Sequence, residues 1–152
     1  MKNIIKKHQT LIEEFILFIL GGMMYVDIEI FTRGFSHWSM FIVGGLCFII
    51  LGLLNEVYSW NLLFQWQCLI GAGIITVFEF ISGCVVNKLL QWNVWDYSDR
   101  PFNLLGQISL FTSIFYWIPL SAIAIIIDDL IRYGFFHEKF PRYKFTHKKD
   151  KK

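Results

Sequence analysis

Four apolar stretches decide what this chain can fold into: Leu11–Phe31, Trp38–Tyr58, Leu62–Leu89 and Leu104–Tyr133. A helix of about 20 apolar residues crosses the roughly 30 Å hydrocarbon layer of a bilayer. Within lipid, a backbone can satisfy its own N–H and C=O groups only as a helix or a closed barrel. The expected fold is therefore all-α: a polytopic membrane protein of four transmembrane helices with a re-entrant or interfacial external loop. Composition agrees, with 55% hydrophobic and 17% charged residues, against about 25% charged in ordinary soluble domains. The last two stretches exceed the minimum, which predicts tilt or an interfacial turn. Pro119 predicts a kink in the fourth, because it removes one backbone bond and crowds the preceding turn.

Charge placement gives direction. Lys2, Lys6 and Lys7 open the chain; Lys139, Arg142, Lys144, Lys148, Lys149, Lys151 and Lys152 close it; only Arg33, Lys88, Arg100 and Arg132 lie between. Basic ends around an apolar middle indicate a membrane protein and not a nucleic-acid binder. An even number of spans puts both termini on one side, which the positive-inside rule makes cytoplasmic, in the inner or plasma membrane. The turn Ser59–Asn61 then faces the cytoplasm, while Arg33–His37 and Trp92–Asn103 face out. Residues 1–133 are read as the transmembrane domain and 134–152 as a basic-aromatic cytoplasmic tail. That tail either only fixes topology or is drawn to anionic lipid, at about 1 kcal/mol per basic residue. Glu13 and Glu14 interrupt the start of the first run and no small-x-small cleavage site follows, so it is expected as a retained helix.

Cys47, Cys68 and Cys84 sit in apolar runs with no CxxC and no flanking His, so they read as core residues and no metal is expected. No phosphate-binding Gly loop, HExxH or Gly-x-Ser-x-Gly turn occurs, and no cofactor is expected. His37 begins the second span and reads as structural.

Polar residues at membrane depth are costly and face a bundle interior or a wet cavity. In the third span Cys68, Gly71, Ile75, Glu79, Gly83 and Asn87 recur every three or four residues, which places them on one face. Gly45, Gly52 and Glu56 share a face of the second span, and Gly106, Ser109, Ser113 and Trp117 one of the fourth. Small faces allow close helix approach, hence a compact bundle. Glu79 should be neutral or paired there. Arg33 and Arg100 are its candidate partners, with Asn87, Asp96, Asn103 and Gln107 completing a cluster. The seven form either an outward-opening binding site or a clasp that pins the loop. Asn103 is expected to cap the fourth helix, Asp96 to accept backbone hydrogens in a turn, and Pro101 to break helix. Asp27 and Glu29 are further candidate partners for Arg33. Asp128 and Arg132 are spaced as an i, i+4 pair, and Asn55 with Glu56 reads as interfacial.

The block VWDYSDRPFNLLGQISL, preceded by FEFISG, resembles the ABC-transporter type IV (CmpB-like) family of small membrane permeases. That family's pattern is a helical carboxylate, then WDYS, an Asn and a Gly-x-Ile, here Glu79, Trp95–Ser98, Asn103, and Gly106 with Ile108. Arg33–Phe35 is similar to its Arg-Gly-Phe turn, and the resemblance runs from about Asp27 to Ser121. After that turn this chain departs: SHWSMFIVGGLCF stands where many members have Gly-Pro and Cys-Pro-Ile-Tyr-Gly. The resemblance implies a permease-like subunit of a transport system. With only four spans it would act as a homo-oligomer or with partner subunits, an ATPase among them, and among membrane lipids. A second function fits the residues: an intramembrane enzyme on a lipid or isoprenoid headgroup. There Glu79 or Asp96 would serve as acid or base, and Arg33 or Arg100 would hold an anionic group. A third is a membrane scaffold whose polar cluster only holds the loop.

Overall fold

The computed structural model describes the backbone of residues 2–58 and 62–146, and the side chains of residues 10–55 and 62–146. Four long helices form an up-and-down bundle: α1 (Lys2–Arg33), α2 (Trp38–Tyr58), α3 (Phe64–Leu89) and α4 (Leu110–Phe136). Each carries a stretch long and apolar enough to cross a membrane. The side-chain role expected of Glu56 and the turn Ser59–Asn61 lie outside the described residues.

In lipid, helices associate through close packing more than through exclusion of water, so the small residues matter. On α1, Gly21 receives Phe48 and Gly22 receives Phe41; on α2, Gly44 receives Tyr25 and Gly45 receives Phe18. These reciprocal fits make α1–α2 the most extensive helix pair. Gly71 of α3 leaves room for Leu51 and for Ser121, whose hydroxyl donates to the Cys68 carbonyl at 2.8 Å. The core where α2, α3 and α4 meet comprises Cys47, Leu51, Leu54, Ala72, Ile75, Trp117 and Ile125. By contrast, α1 touches α4 only sparsely. Large apolar side chains such as Phe31, 93% exposed, and Phe15, 62% exposed, cover the outer surface, as suits a protein solvated by lipid tails.

Two helices depart from α geometry. The last turn of α3, Cys84–Leu89, is a wide π-type turn. In α4, residues Ser113–Trp117 are wound the same way just ahead of Pro119. Pro119 has no N–H for the Phe115 carbonyl and crowds it, and the wider turn just before it accommodates the misfit. The fourth helix also begins at Leu110, not Leu104. Residues Asn103–Leu104 and Ile108–Ser109 instead form β1 and β2 of a small antiparallel hairpin, in register Asn103 with Ser109 and Leu104 with Ile108. Four polar or turn-forming residues in the stretch 103–109 explain why it leaves the helix.

The tail beyond α4 packs back onto the bundle. The Tyr143 ring lies 4.7 Å from that of Phe64, its hydroxyl donates to Asp129 at 2.6 Å, and Lys144 pairs with Leu63 as a short parallel bridge.

Candidate functional site

The segment 90–109 lies across one end of the bundle, held by side chains that the third span presents on its buried face. Asn87 anchors its first part. The Asn87 amide donates to the Trp95 carbonyl at 3.0 Å and to Gln107 Oε1 at 2.8 Å, while its oxygen accepts the Val94 N–H at 2.7 Å. The Trp95 indole donates to the Gln107 carbonyl at 2.9 Å, and the Gln107 amide donates to the Leu105 carbonyl. Asn87 and Gln107 thus replace the ladder partners that an irregular buried backbone lacks. Gly83 permits the approach, since a Cβ there would lie 2.7 Å from Gln107 Oε1.

Asp96 and Asn103 shape the loop's turns. Asp96 accepts the Ser98 amide at 2.9 Å and the Ser98 hydroxyl at 2.6 Å, as expected of a turn aspartate. Those two bonds, hydroxyl foremost, hold its carboxyl below the usual aspartate range. Asn103 does not cap the fourth helix. Its amide donates to the Arg100 and Ser98 carbonyls, and its oxygen accepts the Gly106 N–H at 3.1 Å, so it closes the hairpin. Leu105 and Gly106 both take left-handed backbone, at φ 54° and 71°. Any side chain at Gly106 would also meet Asp96 and Ser98.

Glu79 is 4% exposed, and its partners are not those the sequence suggested. The Tyr97 hydroxyl donates to Oε1 at 3.0 Å and the Trp117 indole to Oε2 at 2.8 Å. Neither Arg33 nor Arg100 pairs with it among the described residues. Two neutral donors from the loop and from α4 therefore hold the acid of α3. They reach it because the WDYS turn and the π-type turn aim Tyr97 and Trp117 inward. Burial, and after it the neighbouring Glu79 charge, pushes the Tyr97 hydroxyl well above the ordinary tyrosine value.

Arg33 instead pairs with Glu29 one helical turn back, one of the partners considered for it, and sends a long 3.4 Å bond to the Val94 carbonyl. Glu29 also accepts from Ser36 at 2.5 Å. The Arg33 Nε is buried without a partner, and the guanidinium lies 5.0 Å from the Phe35 ring centre. Among the described residues nothing pairs with the Arg100 side chain. Both arginines line a cavity of about 240 Å³ between α1, the loop and the start of α4, together with Tyr25, Ile28, Glu29, Thr32, Tyr97, Thr112, Tyr116 and Trp117. Of the seven expected residues, then, Arg33 and Arg100 meet at the cavity, and Glu79 stands behind its Tyr97–Trp117 wall. Asn87 and Gln107 form the loop's buried anchor, while Asp96 and Asn103 shape its exposed turns. His37 contacts Ser39 and stacks near Trp38 and Trp92, a structural arrangement.

At the opposite end lies a polar network that the sequence indicated only in part. Arg132, 4% exposed, donates to Asp128 at 2.7 Å and reaches both oxygens of Glu14 at 3.0 and 3.1 Å. Asn55 donates to Asp129 at 2.8 Å. The Asp128–Arg132 spacing was visible in sequence, but no local pattern could reveal that Glu14, 118 positions away, completes it. No group of three or more His, Cys, Asp or Glu side chains among the described residues could hold a metal ion.

Four membrane-length helices joined by a folded-back polar segment define a small multi-pass membrane protein. Residues 19–145 match the family described as "Putative ABC-transporter type IV". The chain belongs to that family, and the match takes in the second half of α1, all of α2, α3 and α4, and the loop between the last two. No curated protein and no solved structure gives a significant match.

Proposed function

We propose that this protein is a permease-like membrane subunit of a transport system, with both termini cytoplasmic and the cavity at Arg33 and Arg100 opening outward to receive a ligand. The observation that carries this reading is the cavity itself: two guanidinium groups, one of them without any partner among the described residues, on aromatic walls. Arg100 is exposed and Arg33 half-buried with its Nε unpartnered, so both guanidinium groups keep donors for a ligand entering from the open side. Basic residues at both ends of the sequence support the orientation. An enzyme using Glu79 as acid or base finds less support, because both its oxygens are taken by Tyr97 and Trp117 and it faces neither arginine.

The orientation is tested with Thr32→Cys, a solvent-exposed position on the cavity wall, in a background lacking the three native cysteines. A membrane-impermeant thiol reagent added to intact cells should label it, whereas labelling only after lysis would overturn the outward opening. The transport role is tested by affinity purification from native membranes. Recovery of an ATPase subunit together with a solute-uptake defect on deletion is expected; absence of both would overturn it.

A further inference from the structure

Which chemical class fits the cavity follows from what adjoins it. Beside it lies a largely apolar crevice of about 70 Å³ lined by α1, α2, α3 and α4, with Glu79, bonded to Tyr97 and Trp117, the one carboxylate on its wall. The two voids share Tyr25 and Ile28 as a common wall. Leu120 and Ile123 line the crevice from α4, at the place where α1 and α4 barely touch. Its rim is open to the lipid side, with Ile28 37% and Ile123 52% exposed. A charged chamber therefore continues into an apolar slot that faces hydrocarbon.

The charge of the chamber is not balanced. Glu29, the carboxylate among its lining residues, is held by Arg33 and Ser36. No carboxylate among the described residues neutralises Arg100, and Arg33 keeps a free Nε donor. Glu79 faces Tyr97 and Trp117 and does not pair with either arginine. Asp96 is exposed and bonded to Ser98. A planar guanidinium favours phosphate or carboxylate oxygens. An anionic head joined to an apolar tail would satisfy both voids at once, which a soluble anion or an uncharged lipid would not.

We infer that the ligand is an anionic amphiphile of the membrane, its phosphate or carboxylate head between Arg33 and Arg100 and the first part of its chain in the crevice at Ile28 and Ile123. This rests on the cavity being a ligand site, as proposed above, and names what fills it.

The full chain is reconstituted in mixed nanodiscs of phosphatidylglycerol and phosphatidylcholine, and lipid retained after detergent extraction is counted by native mass spectrometry. Phosphatidylglycerol should be retained at least about tenfold over phosphatidylcholine, because the choline cation offsets its own phosphate and is repelled by the two guanidinium groups. Arg100→Gln should remove most of that preference by withdrawing the charge. Ile123→Trp, at a half-exposed position where bulk is tolerated, should weaken retention by obstructing the slot while leaving both arginines in place. Millimolar inorganic phosphate or glycerol phosphate should not compete. Equal retention of both lipids, an unchanged preference in Ile123→Trp, or displacement by free phosphate would each overturn the inference. If Thr32→Cys is labelled from outside and lipid selectivity is absent, the outward cavity stands and the amphiphile fails. Selectivity without outside labelling keeps the amphiphile and removes the outward opening.

Discussion

The Tyr97 hydroxyl donates to Glu79 Oε1 at 3.0 Å, tying the loop after the third helix to that helix's buried acid. The other Glu79 oxygen takes the Trp117 indole at 2.8 Å, so one carboxylate gathers the loop and the fourth helix. Removing either donor leaves a buried oxygen unpaired. Tyr97→Phe is expected to lower stability by about 1 to 3 kcal/mol, the cost of an unsatisfied buried polar group. Trp117→Phe should lose more, because indole packing goes with the bond. Thermal melts in detergent micelles would check both, and unchanged melting of Tyr97→Phe would contradict the tie.

Asn87 serves three loop groups with one side chain. Asn87→Leu keeps the branched shape and drops all three bonds, so a loss of about 2 to 4 kcal/mol is expected. The loop between Leu90 and Ser109 should then be cut faster by protease while the helices persist. Gly83→Ala should act in the same direction by pushing Gln107 outward. Protease resistance equal to the parent protein would show that the loop is held by something else.

The pH dependence of the loop has two ends. The Asp96 carboxyl is held below its ordinary range by Ser98. Its folded value is depressed, so its contribution to loop order is present above the unfolded aspartate value of about 3.9 and fades only as pH falls below that. The Tyr97 hydroxyl is raised, chiefly by burial. Its contribution is complete below the unfolded tyrosine value of about 10 and is lost as pH rises beyond it. The Asp96–Ser98 turn should therefore hold its order across neutral pH. The Ser98 amide resonance followed by NMR would check this, and a Ser98 transition with a midpoint above about pH 5 would contradict it.

At the other end, Arg132 joins Asp128 and Glu14. Arg132→Ala would strand Asp128, which is fully buried. A loss of about 3 to 5 kcal/mol is expected, the cost of breaking a buried pair from one side. Arg132→Lys should recover only part, since an ammonium cannot reach Asp128 and both Glu14 oxygens as the planar group does. Protein level in membranes and melting temperature would report it, and an unaffected Arg132→Ala would remove the network from the structure's supports.

The four spans could be read directly, because apolar length is a local property of the chain. The polar face of the third helix was equally legible, since a period of three to four residues placed Glu79, Gly83 and Asn87 together. What could not be read was the partner of each polar group. Glu79 was matched by charge with arginines, yet neutral donors on Tyr97 and Trp117 hold it, because their position depends on a turn and on a π-type winding that carry no charge signal. Asn103 looked like a helix cap from its place before an apolar run. The hairpin took precedence, as Leu105 and Gly106 adopt left-handed backbone that a helix cannot use. Arg33 found Glu29 because i, i+4 partners are local, while Glu14 and Arg132, 118 positions apart, meet only in the folded bundle.

The most direct test of the central claim is a high-resolution map of the protein in nanodiscs containing anionic lipid. Expected is head-group density between the Arg33 and Arg100 guanidinium groups, with a chain passing Ile28 and Ile123 and the Glu79 carboxylate bonded to Tyr97 and Trp117. A map with the cavity empty of lipid, or with Arg100 turned away to pair with a carboxylate, would contradict it.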